Sequence, residues 1–185
     1  RLDRHRLALE RAGYIRPVRP IGDRRTPANY ELTDQYLRFW FAVVERDLQL
    51  IEANQGPAVI RGAGPRWNAL LADTFERQAR EYLIRLVARG DLPGDMVIGR
   101  WWTNRPRQVE IDAVGITGSS WRLIGEAKWT ERFAWADLRQ LLTARETLRQ
   151  AAGTQLALFA RTSFAPDVVE AAGDSLLRVA DDLLV

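Results

Sequence analysis

The chain has 185 residues, 46% of them hydrophobic, with seven tryptophans and a formal net charge of +3, which suits a packed core and excludes global disorder. It has no cysteine and a single histidine, His5, which excludes disulfides, thiolate metal sites and His-rich zinc sites and argues against a Ser-His-Asp triad. No apolar run approaches the roughly 18 residues of a membrane span and no signal peptide is present, so the expectation is a cytoplasmic protein with no membrane segment, whose chemistry falls to carboxylates and one lysine.

The charge is unevenly placed. The first 30 residues hold eight arginines against Asp3, Glu10 and Asp23, a local net of +5, as expected of a nucleic-acid contact. Leu2, Leu7, Leu9 and Ala12 fall at helical spacing, and Gly13 closes that helix. Because the chain opens on Arg1 inside this helix, it reads as the C-terminal piece of something longer. Tyr14 to Pro20 is extended, Gly22 to Pro27 is a charged turn, and Asn29 to Leu32 returns as a strand. Helix, strand, basic turn and strand form the back half of a winged helix. Arg16 and Arg19 on its first arm, and Arg24 and Arg25 at the wing tip, are the candidate DNA contacts. Thr33 or Asp34 then caps a helix through Phe39-Trp40-Phe41 to about Ile51, and that aromatic cluster reads as packing rather than base stacking.

The stretch from Gln55-Gly56-Pro57 to Gly64-Pro65 is rich in glycine and proline and marks a boundary, giving domains at 1–54 and 65–185. A helix from about Trp67 to Ala88 buries Leu71, Phe75, Ala79, Tyr82, Leu83 and Leu86 on one stripe. Glu76 lies on a flank of that stripe. Glu81 lies on the polar side beside Arg77 and Arg85, where helix ion pairs account for it. Met96 to Trp102 is a strand. Arg107 to Trp129 is a hairpin in which Val109, Ile111 and Ala113 alternate with Glu110, Asp112 and Val114. Trp135 to Ala151 is an amphipathic helix, Thr154 to Ala160 a buried strand and Pro166 to Ala172 a short helix. The tail from Leu176 is an edge strand or a helix.

If the hairpin loop is Gly118-Ser119-Ser120, Asp112 lies opposite Glu126 and Glu110 opposite Lys128. Opposed carboxylates destabilise a hairpin unless a cation sits between them. Lys128 supplies part of that compensation and a divalent ion would supply the rest. Lys128 is the only lysine among 27 basic residues, a compact ammonium in a chain that otherwise uses the wide guanidinium. An ion-pair lattice on a solvated strand face would account for the same residues.

The order helix, three strands, helix, strand, with Asp on the second strand and Glu-x-Lys on the third, resembles the PD-(D/E)xK nuclease-like superfamily. More closely, the chain resembles the C-terminal part of a family of archaeal and bacterial ATPases with a P-loop ATPase, a winged helix and a nuclease-like domain of unknown function. The matching stretches are Ala12-Gly13-Tyr14-Ile15, Leu32-Thr33-Asp34, Leu37 to Phe41, Phe75-Glu76, Gly99 to Trp102, Glu110-Ile111-Asp112 and Gly125 to Trp129. They cover nearly the whole chain. The resemblance implies an α/β fold with a restriction-endonuclease-like core (α-β-β-β-α-β, mixed sheet) behind a truncated winged helix, and an ATPase upstream of Arg1, since no Walker motif occurs here. It implies Mg²⁺- or Mn²⁺-dependent hydrolysis of DNA phosphodiesters, or a module that binds DNA or a partner without cleaving. Asp112, Glu126 and the carbonyl of Ala127 would hold the metal. Lys128 would orient water or stabilise charge in the transition state, and Glu76 would hold a second metal or a water. Where this family often has cysteine, the chain has Ala127. Glu76, in the matching Phe75-Glu76 pair, is preferred over Glu81 as the first-helix acid.

Overall fold

A computed structural model describes residues 2–23, 25–103 and 108–184, and of Leu2 the backbone alone. Arg24 and residues 104–107 lie outside the described residues. The chain divides into two compact units, Arg1–Arg19 with Thr26–Leu71, and Pro20–Arg25 with Ala72–Val185.

The first unit begins with α1 (Leu2–Arg11), which ends where Gly13 takes a positive φ of 76°. β1 (Ile15–Val18) and β2 (Asn29–Leu32) pair antiparallel, Ile15 with Leu32 through to Val18 with Asn29. Asp34 caps the next helical run: its carboxylate accepts the Leu37 N–H at 2.9 Å, filling one of the donor sites that a helix start leaves open. The run passes through α2 (Gln35–Phe39), a π-helical turn at Trp40–Val44, a 3₁₀ turn at Glu45–Asp47 and α3 (Leu48–Glu52). Phe39 stacks edge-on against Trp67 at 5.6 Å and Trp40 lies 6.2 Å from Tyr36. Two of the three clustered aromatics therefore pack, while Phe41 is exposed. The glycine- and proline-rich stretch is helical, forming α4 (Gly56–Gly62) with Pro57 in its first turn, where a missing N–H costs nothing. α5 (Gly64–Arg89) follows.

The second unit is a mixed five-stranded sheet in the order β3-β4-β5-β7-β9. β3 (Val97–Thr103), β4 (Val109–Thr117) and β5 (Ser120–Lys128) run antiparallel to one another. β7 (Gln155–Ala160) is parallel to β5, and β9 (Leu176–Val179) is parallel to β7. Between them come β6 (Arg132–Phe133), α6 (Trp135–Thr147), a 3₁₀ turn at Arg149–Ala151, β8 (Ser163–Phe164) and α7 (Pro166–Ala172); β6 pairs parallel with β8. The tail is thus the edge strand β9 followed by a 3₁₀ turn at Ala180–Leu184.

Each sheet face buries an apolar layer. On one face Phe75, Ala79 and Leu83 of α5 pack on Ala113, Leu123, Ala127, Ala157 and Phe159. On the other, Leu138 and Leu141 of α6 and Val168 of α7 pack on Ile111, Val114, Ile124, Leu156 and Leu158. Of the helical stripe read from the sequence, Phe75, Ala79, Tyr82, Leu83 and Leu86 are buried and Leu71 is half-buried.

Two expectations about the hairpin are corrected. Its tip is the two-residue turn Gly118-Ser119, with Thr117 paired to Ser120, and not the three-residue loop. Gly118 has φ of 59° and Ser119 has no positive φ, the geometry of a II′ turn, which matches strand twist. A register shift between Gly115 and Ile116 then takes up one residue, so the inner pairs run Gly115 with Leu123 through Ala113 with Gly125. The strict alternation along β4 is also broken. Gly99 pairs with Val114 but Trp101 with Ile111, so β4 holds one extra residue at Asp112–Ala113. Ile111 consequently joins Val114 in the layer against α6 while Ala113 joins the layer against α5. A bulge of this kind re-aims a side chain and interrupts pairing.

Candidate functional site

The bulge places Asp112 where the β4–β5 ladder ends. Its pairs stop at Ala113 with Gly125, and beyond them the Asp112 Oδ2 accepts the Ala127 N–H at 2.9 Å. A side-chain carboxylate has taken the place of a backbone acceptor. On the facing strand, Glu126 is 4% exposed, and its Oε1 lies 2.5 Å from the Lys128 Nζ. From α5, Arg80 donates through Nη1 to the Asp112 carbonyl at 2.7 Å. Glu76 stands one turn before Arg80 on that helix.

These groups share one electrostatic field. Burial, then the charge of Asp112, pushes Glu126 up to about 7, against the lowering effect of Lys128. Burial, then Asp112, likewise pushes Glu76 to about 7, with Arg80 opposing. Asp112 is raised by its own burial, although the Ala127 N–H, Lys128 and Arg80 all favour its ionised form. Burial alone would lower Lys128; the charge and hydrogen bond of Glu126 outweigh that and hold it above its ordinary value, so it stays an ammonium. The structure thus brings Glu76, Asp112, Glu126 and Lys128 together.

Glu81 is exposed. Glu110, expected opposite Lys128, lies outside the β4–β5 ladder; it pairs with Trp102 on β3, and its carboxylate accepts from Arg100 Nη2 at 2.7 Å. Gly125 is required by close approach, since a Cβ there would sit 2.7 Å from the Ala157 carbonyl oxygen of β7. A cleft of about 560 Å³ opens beside Glu126, with Gln108, Val109 and Glu110 of the β4 side and Gln140, Leu141 and Thr143 of α6 on its walls.

The arginines proposed for DNA lie apart from this cluster in sequence. Arg16 is exposed and 3.5 Å from Glu31, Arg19 and Arg25 are exposed, and Arg24 is outside the described residues. Sequence reading missed Arg80, Arg100 and the α6 wall of the cleft. The four-residue spacing of Glu76 and Arg80 was a signal for the first; Arg100 and the wall residues carry none.

Two carboxylates and a peptide carbonyl are hard oxygen donors, and by strand geometry the Ala127 carbonyl opens on the same side as its N–H. Among the described residues no three His, Cys, Asp or Glu side chains converge into a complete ligand set.

The fold and this cluster define an α/β protein with a part-buried acid–acid–lysine group at the end of a strand pair. Residues 40–147 match the DUF234 family, described as archaea bacterial proteins of unknown function, and the chain belongs to that family. It is also similar to an uncharacterized protein of Methanocaldococcus jannaschii, 32% identical over 104 residues that cover 55% of this chain and 23% of the relative. The chain therefore spans less than a quarter of that relative's length in the matched region. No solved structure matches it significantly. No helix among the described residues is long and apolar enough to cross a membrane.

Proposed function

We propose that this is a Mg²⁺- or Mn²⁺-dependent DNA phosphodiesterase on a PD-(D/E)xK restriction-endonuclease-like core, preceded by a truncated winged helix and belonging to the C-terminal part of a larger P-loop ATPase. The observation that carries the reading is the convergence of Asp112, held at the bulge by the Ala127 N–H, with the buried Glu126 and the chain's one lysine. Asp112, Glu126 and the Ala127 carbonyl would hold the ion. When bound, it would polarise the scissile phosphate and make water a competent nucleophile at neutral pH.

The remaining work falls to the chain's own residues. Lys128, kept cationic by Glu126, offers a positive charge to the oxygens on which negative charge builds during phosphoryl transfer. Glu76, with its pKa near 7, can accept a proton at a carboxylate oxygen, the behaviour wanted of a base at neutral pH. The cleft beside Glu126 is the space for the sugar-phosphate strand. Arg16, Arg19, Arg24 and Arg25 would contact DNA phosphates, which supply most of the salt-dependent affinity.

One observation favours a second reading, a module that binds DNA or a partner and does not cleave: Lys128 and Glu126 are already paired to each other at 2.5 Å. Plasmid nicking by the full-length protein with Mg²⁺, Mn²⁺ and Ca²⁺, beside Lys128→Ala, separates the two. Nicking with Mg²⁺ or Mn²⁺ that Lys128→Ala abolishes is the expected result. Equal cleavage by both proteins would mean a contaminant, and salt-sensitive DNA binding without cleavage would leave the second reading.

A further inference from the structure

We propose that Arg80 is a positioning residue, whose hydrogen bond to the Asp112 carbonyl fixes the bulge that aims the Asp112 carboxylate at the Ala127 N–H. This deepens the metal-site reading and rests on it for one of its two readouts.

The extra residue on β4 is what makes the arrangement possible, and it also creates a liability. A bulged residue loses its regular ladder partners, and a backbone carbonyl inside a protein must find a donor elsewhere. Asp112 meets both needs from outside the sheet ladder. Its carbonyl receives Arg80 Nη1 at 2.7 Å, and its side chain receives the Ala127 N–H at 2.9 Å. The first bond anchors the backbone of the residue, and the second is made by its side chain, so the anchor sets the direction in which the carboxylate leaves the strand.

Arg80 is well suited to that task. It projects from α5, which is pinned to the same sheet face by Phe75, Ala79 and Leu83, so the donor is carried by a rigid element. Its planar fork directs a bond to one carbonyl while leaving other N–H groups for neighbours, and its charge also acts on Glu76 one turn earlier. A cation at this place also favours an ionised Asp112.

Amide exchange at Ala127, measured by NMR on metal-free protein, tests the anchor directly, and Mn²⁺ affinity by calorimetry tests its consequence. In Arg80→Met the Ala127 amide should exchange about tenfold faster than in wild type at matched global stability, as for one lost hydrogen bond, while the Leu123 amide on the same strand is unchanged. Mn²⁺ affinity should fall about 10- to 100-fold, as when a group that orients a ligand is removed. Arg80→Lys, which can still donate once, should recover part of both; a merely structural role would give no such graded rescue. Arg80→Gln, too short to span the gap, replaces Arg80→Met if that variant does not fold, with the same expected result. Wild-type exchange at Ala127 in these variants overturns the proposal. A wild-type protein that binds no Mn²⁺ would instead sink the metal-site reading, and the exchange measurement would still decide the role of Arg80.

Discussion

Glu76 and Glu126 are the residues whose protonation the fold changes most plainly. Each ionises near 4.5 when unperturbed and near 7 in the folded protein, first because it is buried and next because Asp112 is close. Between those values the native state holds protons that the unfolded chain has released. Stability of the metal-free protein should therefore fall as pH rises from about 4.5 to about 7 and level off above. Urea denaturation across that window should show the decline, and Glu126→Gln should flatten it; a wild-type profile that rises over the same range would contradict the assignment. Metal binding near neutral pH should release protons from these carboxylates. Lys128 is paired to Glu126. Its ammonium meets one buried carboxylate oxygen at 2.5 Å as a compact point charge, whereas a guanidinium is a wider planar fork.

At the scale of elements, the central object is the β4–β5 pair. Gly125→Ala should cost about 1–3 kcal/mol, the usual range for overpacking a filled core, because its Cβ would press on the Ala157 carbonyl oxygen at 2.7 Å. Chemical denaturation checks this, and the same variant should weaken metal binding since Glu126 is the next residue. Much of this element was legible in the sequence. Turn residues and hydrophobic period located the hairpin, and the flank of the α5 stripe separated Glu76 from the exposed Glu81. The bulge was not legible, because its partners lie far along the chain: Arg80 reaches the Asp112 carbonyl from another helix, and the Ile21 N–H donates to the Arg100 carbonyl at 2.9 Å on the facing strand. No local pattern encodes such contacts. The Gly118 turn was misjudged by one residue, yet the expected register holds from Ala113 to Gly115 because the shift at Gly115 and Ile116 restored it; the ladder ends before Asp112. The helix over Gly56–Gly62 escaped detection because glycine and proline, read as breakers, here sit at helix ends, where they are tolerated.

For the whole molecule, the basic N-terminal stretch and the acid–lysine cluster divide the proposed work between holding DNA and cutting it. If the arginines contact phosphates, Arg19→Ala and Arg25→Ala should each lower the slope of log affinity against log salt by about 1. Arg16→Ala should lower it less, since Arg16 is already shared with Glu31. Fluorescence anisotropy with a DNA duplex at several salt concentrations measures this, and slopes unchanged in all three variants would remove these residues from the DNA surface.

A divalent ion shared by Asp112 and Glu126 is the centre of the proposed function, and thermal melts with and without millimolar Mn²⁺ test it most directly. A ligand that binds only the folded state stabilises it, by about 1.4 kcal/mol at ten times Kd, so wild type should melt higher with Mn²⁺. Asp112→Asn should be more stable than wild type without metal, having lost one buried charge, and should show no shift when metal is added. Glu81→Gln, on the exposed side of α5, should keep the full wild-type shift. A wild-type melting temperature indifferent to Mn²⁺, with Asp112→Asn neutral or destabilised, would contradict the account and leave the cluster as a lattice of ion pairs.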